Sequence, residues 1–168
     1  PGLTDVVTIP VGQNIEVTAN AYAKNVAVNG NVNLVSGNLD LFGIMTLANS
    51  AKITLNSNNL NLKGTLSSLT GTNTSYVVTN GTGTVNVVNI DVTRGTISLP
   101  IGTVTNYNPV SFSNSGTSDT FSVRVSDGIS GTTNGAVNTT WEISEAVASG
   151  SNVNLKLGLN HAQEIATI

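Results

Sequence analysis

The chain has 168 residues, a formal charge of −3 and no cysteine, and 9% of its residues are charged, against about 25% in an ordinary globular domain. The absence of cysteine excludes a disulfide framework and thiolate metal sites. Lys24, Lys52, Lys63 and Arg94 are scattered and offset by Asp5, Glu16, Asp40 and Asp91, so no basic stripe exists for nucleic acid, and no apolar run reaches the ~18 residues of a membrane span. Asn, Thr, Ser and Gly must supply the polar surface, and 39% hydrophobic residues in alternating patterns argue against disorder. Pro1-Gly2 is not an initiator sequence, which reads as a mature chain without its leader.

Residues 5–20 hold two alternating runs, Asp5-Val6-Val7-Thr8-Ile9 and Asn14-Ile15-Glu16-Val17-Thr18. The Gly12-Gln13-Asn14 turn between them suits a hairpin or a solenoid corner. The hexapeptide Asn38-Leu39-Asp40-Leu41-Phe42-Gly43 then returns as Asn59-Leu60-Asn61-Leu62-Lys63-Gly64, 21 positions later. A Gly-ended strand that recurs at so short a period predicts a coil that rises one layer per repeat. Period-2 alternation sends Leu39, Leu41, Leu60 and Leu62 inward as ladders about 4.8 Å apart, with Asp40 and Asn61 outward. Asn25-Val26-Ala27-Val28-Asn29-Gly30 has the same shape but lies too close to Asn38 for the same period, and Asn89-Ile90-Asp91-Val92 is a looser fourth copy. Residues 70–83 read as a wide loop with one strand, Tyr76-Val77-Val78, inside it.

Past Leu99-Pro100-Ile101-Gly102 the pattern changes. Ile97/Leu99, Val110/Phe112, Phe121/Val123/Val125, Val137/Thr139/Trp141/Ile143 and Val153/Leu155/Leu157/Leu159 predict about five strands between turn signals, where an immunoglobulin-like sandwich has about seven. The expected fold is therefore all-β: a short irregular β-solenoid over 1–95, followed by an incomplete Ig-like β-sandwich over 96–168.

The segments Leu99-Pro100-Ile101-Gly102, Tyr107-Asn108-Pro109-Val110-Ser111-Phe112, Ser118-Asp119-Thr120-Phe121-Ser122-Val123-Arg124-Val125 and Val137-Asn138-Thr139-Thr140-Trp141-Glu142-Ile143-Ser144-Glu145 resemble a domain of large bacterial surface proteins exported by the type IX secretion route. In those proteins Asn/Thr/Gly-rich solenoid repeats often precede a sandwich-like module. The resemblance implies an extracellular or cell-surface location and a role as adhesin or surface fibre. Such modules usually continue beyond a strand like 153–159, whereas this chain ends soon after it.

A sandwich short of strands leaves open edges. The expected function is a structural subunit of an extracellular filament, with self as partner. Its N-terminal strand would be donated into the incomplete sandwich of the next copy, with Val6, Val7, Ile9, Val11, Leu155, Leu157, Leu159, Ile165 and Ile168 at the interface. Solenoid ends stacking head to tail is the second route. The alternative function is a surface module binding carbohydrate or another surface.

Catalysis finds little support. His161 is the sole histidine, without a nucleophile elbow anywhere. Asp40, Lys52, Lys63, Asp91 and Arg94 are the charges a solenoid enzyme would use, but Asp40 stacks on Asn61 rather than on a second carboxylate. Asp119, Asp127, Glu142 and Glu145 lack the spacing of a calcium loop. Asn73, Asn80 and Asn138 open glycosylation sequons expected by chance in such a composition. Trp141 reads as core rather than as a sugar platform. The reading is a non-enzyme without cofactor or metal.

Overall fold

The structure is a computed structural model and describes residues 4–129 and 137–159. Its described residues form strands and turns without a helix. The first coil is β1 (Val6–Ile9), β2 (Asn14–Val17) and β3 (Ala21–Ala23). The second is β4 (Asn25–Val28), β5 (Asn31–Leu34) and β6 (Leu39–Leu41). The third is β7 (Ile44–Leu47), β8 (Lys52–Thr54) and β9 (Leu60–Leu62), and the fourth β10 (Ser68–Thr70), β11 (Tyr76–Val78) and β12 (Val85–Ile90). Corresponding strands pair in parallel, which makes three faces: β1-β4-β7-β10, β2-β5-β8-β11 and β3-β6-β9-β12. This is a β-solenoid of stacked three-sided coils.

The expected leucine pairing is present: Leu39 lies beside Leu60, Asp40 beside Asn61 and Leu41 beside Leu62. The ladder extends both ways, as Ala21–Leu39–Leu60–Val85 and Ala23–Leu41–Leu62–Val87. Val7–Val26–Met45–Leu69 and Ile15–Val32–Ile53–Val77 are the inward ladders of the other two faces. Each β-strand has a two-residue period, so stacking in register keeps the members of these ladders on the same, inward side in every coil.

The copy at Asn25 is a different face of the same coil as the copy at Asn38, β4 against β6, which explains their close spacing. Tyr76-Val77-Val78 is the second-face strand of the fourth coil, not an insert in a loop. The rung that follows Leu60-Asn61-Leu62 is Val85-Asn86-Val87 rather than the looser match at Asn89. Asn89 has a φ of 54°, and the pairing register shifts between Val87 and Ile90. Coils also lengthen along the chain: Val7 to Val26 and Val26 to Met45 are equal steps, and Met45 to Leu69 is a longer one. The added residues sit at corners, where strand register does not constrain them.

Those corners account for the Asn that opens each hexapeptide and the Gly that closes it. Asn20 Oδ1 accepts the Asn38 N–H at 2.9 Å, Asn38 Oδ1 the Asn59 N–H at 2.8 Å, and Asn59 Oδ1 the Thr84 N–H at 3.0 Å. Each Asn thus ties its corner to the next coil and satisfies a donor that the turn leaves without a strand partner. On Gly64 a Cβ would lie 2.1 Å from the Phe42 carbonyl oxygen of the coil below, so only Gly lets the coils approach there.

The stack does not stop at residue 95. β13 (Ile97–Leu99) leads into β14 (Ile101–Gly102), which adds to β11 in parallel and extends the second face. β16 (Asp119–Asp127) then pairs antiparallel with β12, and β17 (Thr139–Glu145) antiparallel with β16. A separate sheet, β13-β15-β18, is antiparallel and includes β15 (Val110–Asn114) and β18 (Val153–Leu157). Phe112 of β15 meets Phe121 of β16 with ring centroids 5.5 Å apart. One apolar cluster runs from Ile9 to Val125. The expected separate Ig-like sandwich is not seen as such, because its strands continue the solenoid's sheets and core across the 95/96 boundary.

Leu60 is fully buried between Leu39 and Val85. Leu60→Ala should destabilise the fold by about 2–5 kcal/mol, read as a lower denaturant midpoint in equilibrium unfolding.

Candidate functional site

The two ends of the stack differ from its middle. At the N-terminal end β1, β2 and β3 each have a single partner among the described residues, β4, β5 and β6. Their outer edges have no strand partner among those residues. In a parallel strand, the N–H and C=O of one residue point to the same side and alternate from residue to residue. Ala21 N–H donates to the Asn38 carbonyl and the Ala23 carbonyl accepts from Phe42 N–H. Tyr22, between them, therefore presents its backbone groups to the free edge.

Inside those edges lies a cavity of about 370 Å³ that reaches down to Leu39, Met45 and Ile53. Its rim is Ile15, Val17, Ala21 and Tyr22. The cavity exists because Ala21 and Ala23 occupy inward positions that hold Leu or Val in every higher rung. The small side chains leave the core of the second coil uncovered. Sequence reading missed this mouth. Its signal is Ala21-Tyr22-Ala23 in place of Leu-x-Leu, which is visible only once the register is known.

At the other end β17 and β18 are outermost strands. Trp141 and Ile143 lie opposite Val125 and Val123 and pack half-buried against the core. The Trp141 indole nitrogen is buried without a hydrogen-bond partner. All of β18 is exposed. Leu155 and Leu157 pair with the buried Phe112 and Val110 and so share their side of the sheet, yet they remain 43% and 39% exposed.

The expected interface residues therefore divide. Val7 and Ile9 are inward members of the chain's own first rung, whereas Val6 is 71% exposed and Val11 sits exposed in the turn after β1. Leu155, Leu157 and Leu159 are exposed at the opposite end. Ile165, Ile168 and His161 lie outside the described residues.

The charged residues are spread out and engaged locally. Lys63 Nζ is 2.6 Å from Asp40 Oδ2, and Asp40 Oδ1 accepts from the Asn61 amide at 2.6 Å. Asp91 caps its own turn, and the hydroxyl of Thr93, then the backbone N–H of Arg94, hold its carboxyl below the usual range. The Arg94 guanidinium donates to the carbonyls of Val88 and Ser67, pinning the β12 bulge to the corner below. Asp119 accepts backbone N–H groups of Thr120 and Val147, Glu142 pairs with Arg124, and Glu145 accepts from Ser149 N–H. Asp127 accepts from the Asn106 amide at 3.3 Å. Among the described residues no three His, Cys, Asp or Glu side chains come together as a metal site. Among the same residues no helix is long and apolar enough to cross a membrane.

No protein-family model, no curated protein and no solved structure matches this chain.

Lys52 stands apart on the second face. Its Nζ lies 3.0 Å from the centroid of the Tyr76 ring, which meets Tyr107 at a tilt of 49° with centroids 5.4 Å apart. Burial pushes the ammonium down to about 8 from its usual 10.5, although the ring face partly offsets this by favouring the cation. Between those values the unfolded chain binds more protons than the folded one. Stability should therefore rise with pH from about 8 towards 10.5. Lys52→Met should remove that rise, as measured by denaturant midpoints across the range.

Proposed function

We propose that this chain is a structural module of an extracellular or cell-surface fibre, and that it self-associates through the open ends of its coil stack. The observation that carries this reading is the first coil: three strand edges that have no partner among the described residues, around an apolar cavity of about 370 Å³. Free edges are templates for further pairing, and proteins that remain monomeric usually blunt them with charge, proline or a covering loop. β3 is Ala21-Tyr22-Ala23, with no charge and no proline. The low charge, the Asn-tied corners and the surface-protein resemblance support the location.

Donation of the N-terminal strand would draw Val7 and Ile9 out of their own first rung. Edge pairing with β1 kept in place needs no such loss, so the open-end route is the better supported of the two. The finer description of the C-terminal part, an incomplete two-layer sandwich, belongs to the same reading. Its support is Phe112 of β15 against Phe121 of β16, each strand carrying an antiparallel neighbour, β18 and β17, with β18 exposed.

The alternative is a module that binds carbohydrate or another surface. It draws on a recess of about 400 Å³ on the second face, where Asn14, Glu16, Asn31, Asn33, Lys52 and Thr54 line it together with Ile15 and Val32. Its asparagines are already committed to one another and to the coils, as Asn31 is to Asn14 at 3.0 Å and Asn33 to Asn56 at 2.7 Å, which favours the fibre.

Tyr22→Pro removes a free-edge donor without breaking an internal bond. Concentration-dependent assemblies seen by light scattering and negative-stain microscopy should shrink to monomers in this variant, with unfolding little changed. A wild-type protein that stays monomeric at every concentration and binds a glycan saturably would instead establish the alternative.

A further inference from the structure

The geometry points to a head-to-tail contact in which β17 of one copy pairs in parallel with β3 of the next; this rests on the self-association proposed above. β3 and β17 are the two outer strands of the same six-stranded sheet, ordered β17-β16-β12-β9-β6-β3. Strands β3, β6, β9 and β12 run in one direction. The step to β16 reverses it, and the step to β17 reverses it again. Two reversals restore the original direction. A second copy displaced along the stack therefore meets β17 with its β3 in the parallel arrangement that the coils already use.

The side chains match in the same sense. Ala21 and Ala23 point inward on β3, and Trp141 and Ile143 point inward on β17. Large side chains at one end thus meet the small ones that leave the cavity open at the other. On the neighbouring sheet β18 is the next strand out from β15, as β17 is from β16, and so brings the exposed Leu155 and Leu157 to the same end. The outward side of β3 carries only Tyr22, so it meets Glu142 without like-charge repulsion. Two-fold contacts fit less well. Mouth against mouth sets alanine over alanine and leaves the cavity unfilled. Two β17 strands paired about their centre set Glu142 against Glu142, which is destabilising. A contact between two different surfaces that repeats by translation does not close, and it produces an open polymer.

The chain has no cysteine, so introduced thiols are unambiguous reporters. Tyr22→Cys is made as one variant, and Thr140→Cys, Glu142→Cys and Ser144→Cys as three others, because these β17 residues share the outward side. Circular dichroism checks that each folds. Under mild oxidation, Tyr22→Cys mixed with at least one β17 variant should give a disulfide-linked dimer that is absent from every variant alone. The double variant of that pair should give a ladder of multimers. Self-linking of Tyr22→Cys or of a β17 variant would overturn the head-to-tail contact while leaving self-association intact. So would an oligomeric wild-type protein with no cross-link in any mixture. A wild-type protein that is monomeric at all concentrations would overturn both.

Discussion

Parallel pairing between successive coils is the constraint on which this molecule depends. No coil has a core of its own. Leu39 and Leu41 are buried because Leu60 and Leu62 lie above them and Ala21 and Ala23 below. The hydrogen bonds and the apolar burial come from the same contact, so neither forms without the neighbour. An end coil necessarily lacks half of that contact. The open mouth is thus a consequence of the architecture, made wider by two alanines.

A chain with 9% charged residues must satisfy its polar groups in another way. Here the corners do it. Asn20, Asn38 and Asn59 each accept a backbone N–H from the coil above, and Asp40, Asn61 and Asn86 run along the outside of the same face. The same amides that make the surface polar also fix the vertical register. Solubility and stacking are therefore served by one residue type, and the surface that results is largely occupied with itself. That leaves the outer edges of β1, β2 and β3 and of β17 and β18 as strand edges without a partner among the described residues.

The change of topology after β12 bears on those ends. A solenoid that simply continued would end in another parallel rung. This one adds an antiparallel pair, β16 and β17, to one sheet and builds β15 and β18 on the neighbouring one. Among the described residues β14 is the last strand of the second face. The two ends of the stack are therefore chemically different, one a three-sided mouth with Ala21 and Ala23 along one side, the other a pair of strands carrying Trp141, Ile143, Leu155 and Leu157. Unlike ends are what a directional assembly requires.

Many of the strands and their inward sides were legible in the residues alone. Alternation at Leu39/Leu41, Leu60/Leu62, Phe121/Val123/Val125 and Val153/Leu155/Leu157 is local, and a two-residue period can be read without knowing any partner. The hexapeptide repeat also disclosed one true register, Leu39 beside Leu60. The other partners were not legible. Asn25 and Asn38 open the same motif on different faces, Asn89 matches the motif but sits at a bulge, and Val85-Asn86-Val87 is the real rung without the opening Asn. Corners absorb changes in length at little energetic cost, so spacing ceases to report pairing once the third coil outgrows the first two. That the later strands extend the solenoid's own sheets emerged only from their packing in space. The same holds for Ala21-Tyr22-Ala23 at an open end, because being the last rung is a property of the stack and not of any three residues.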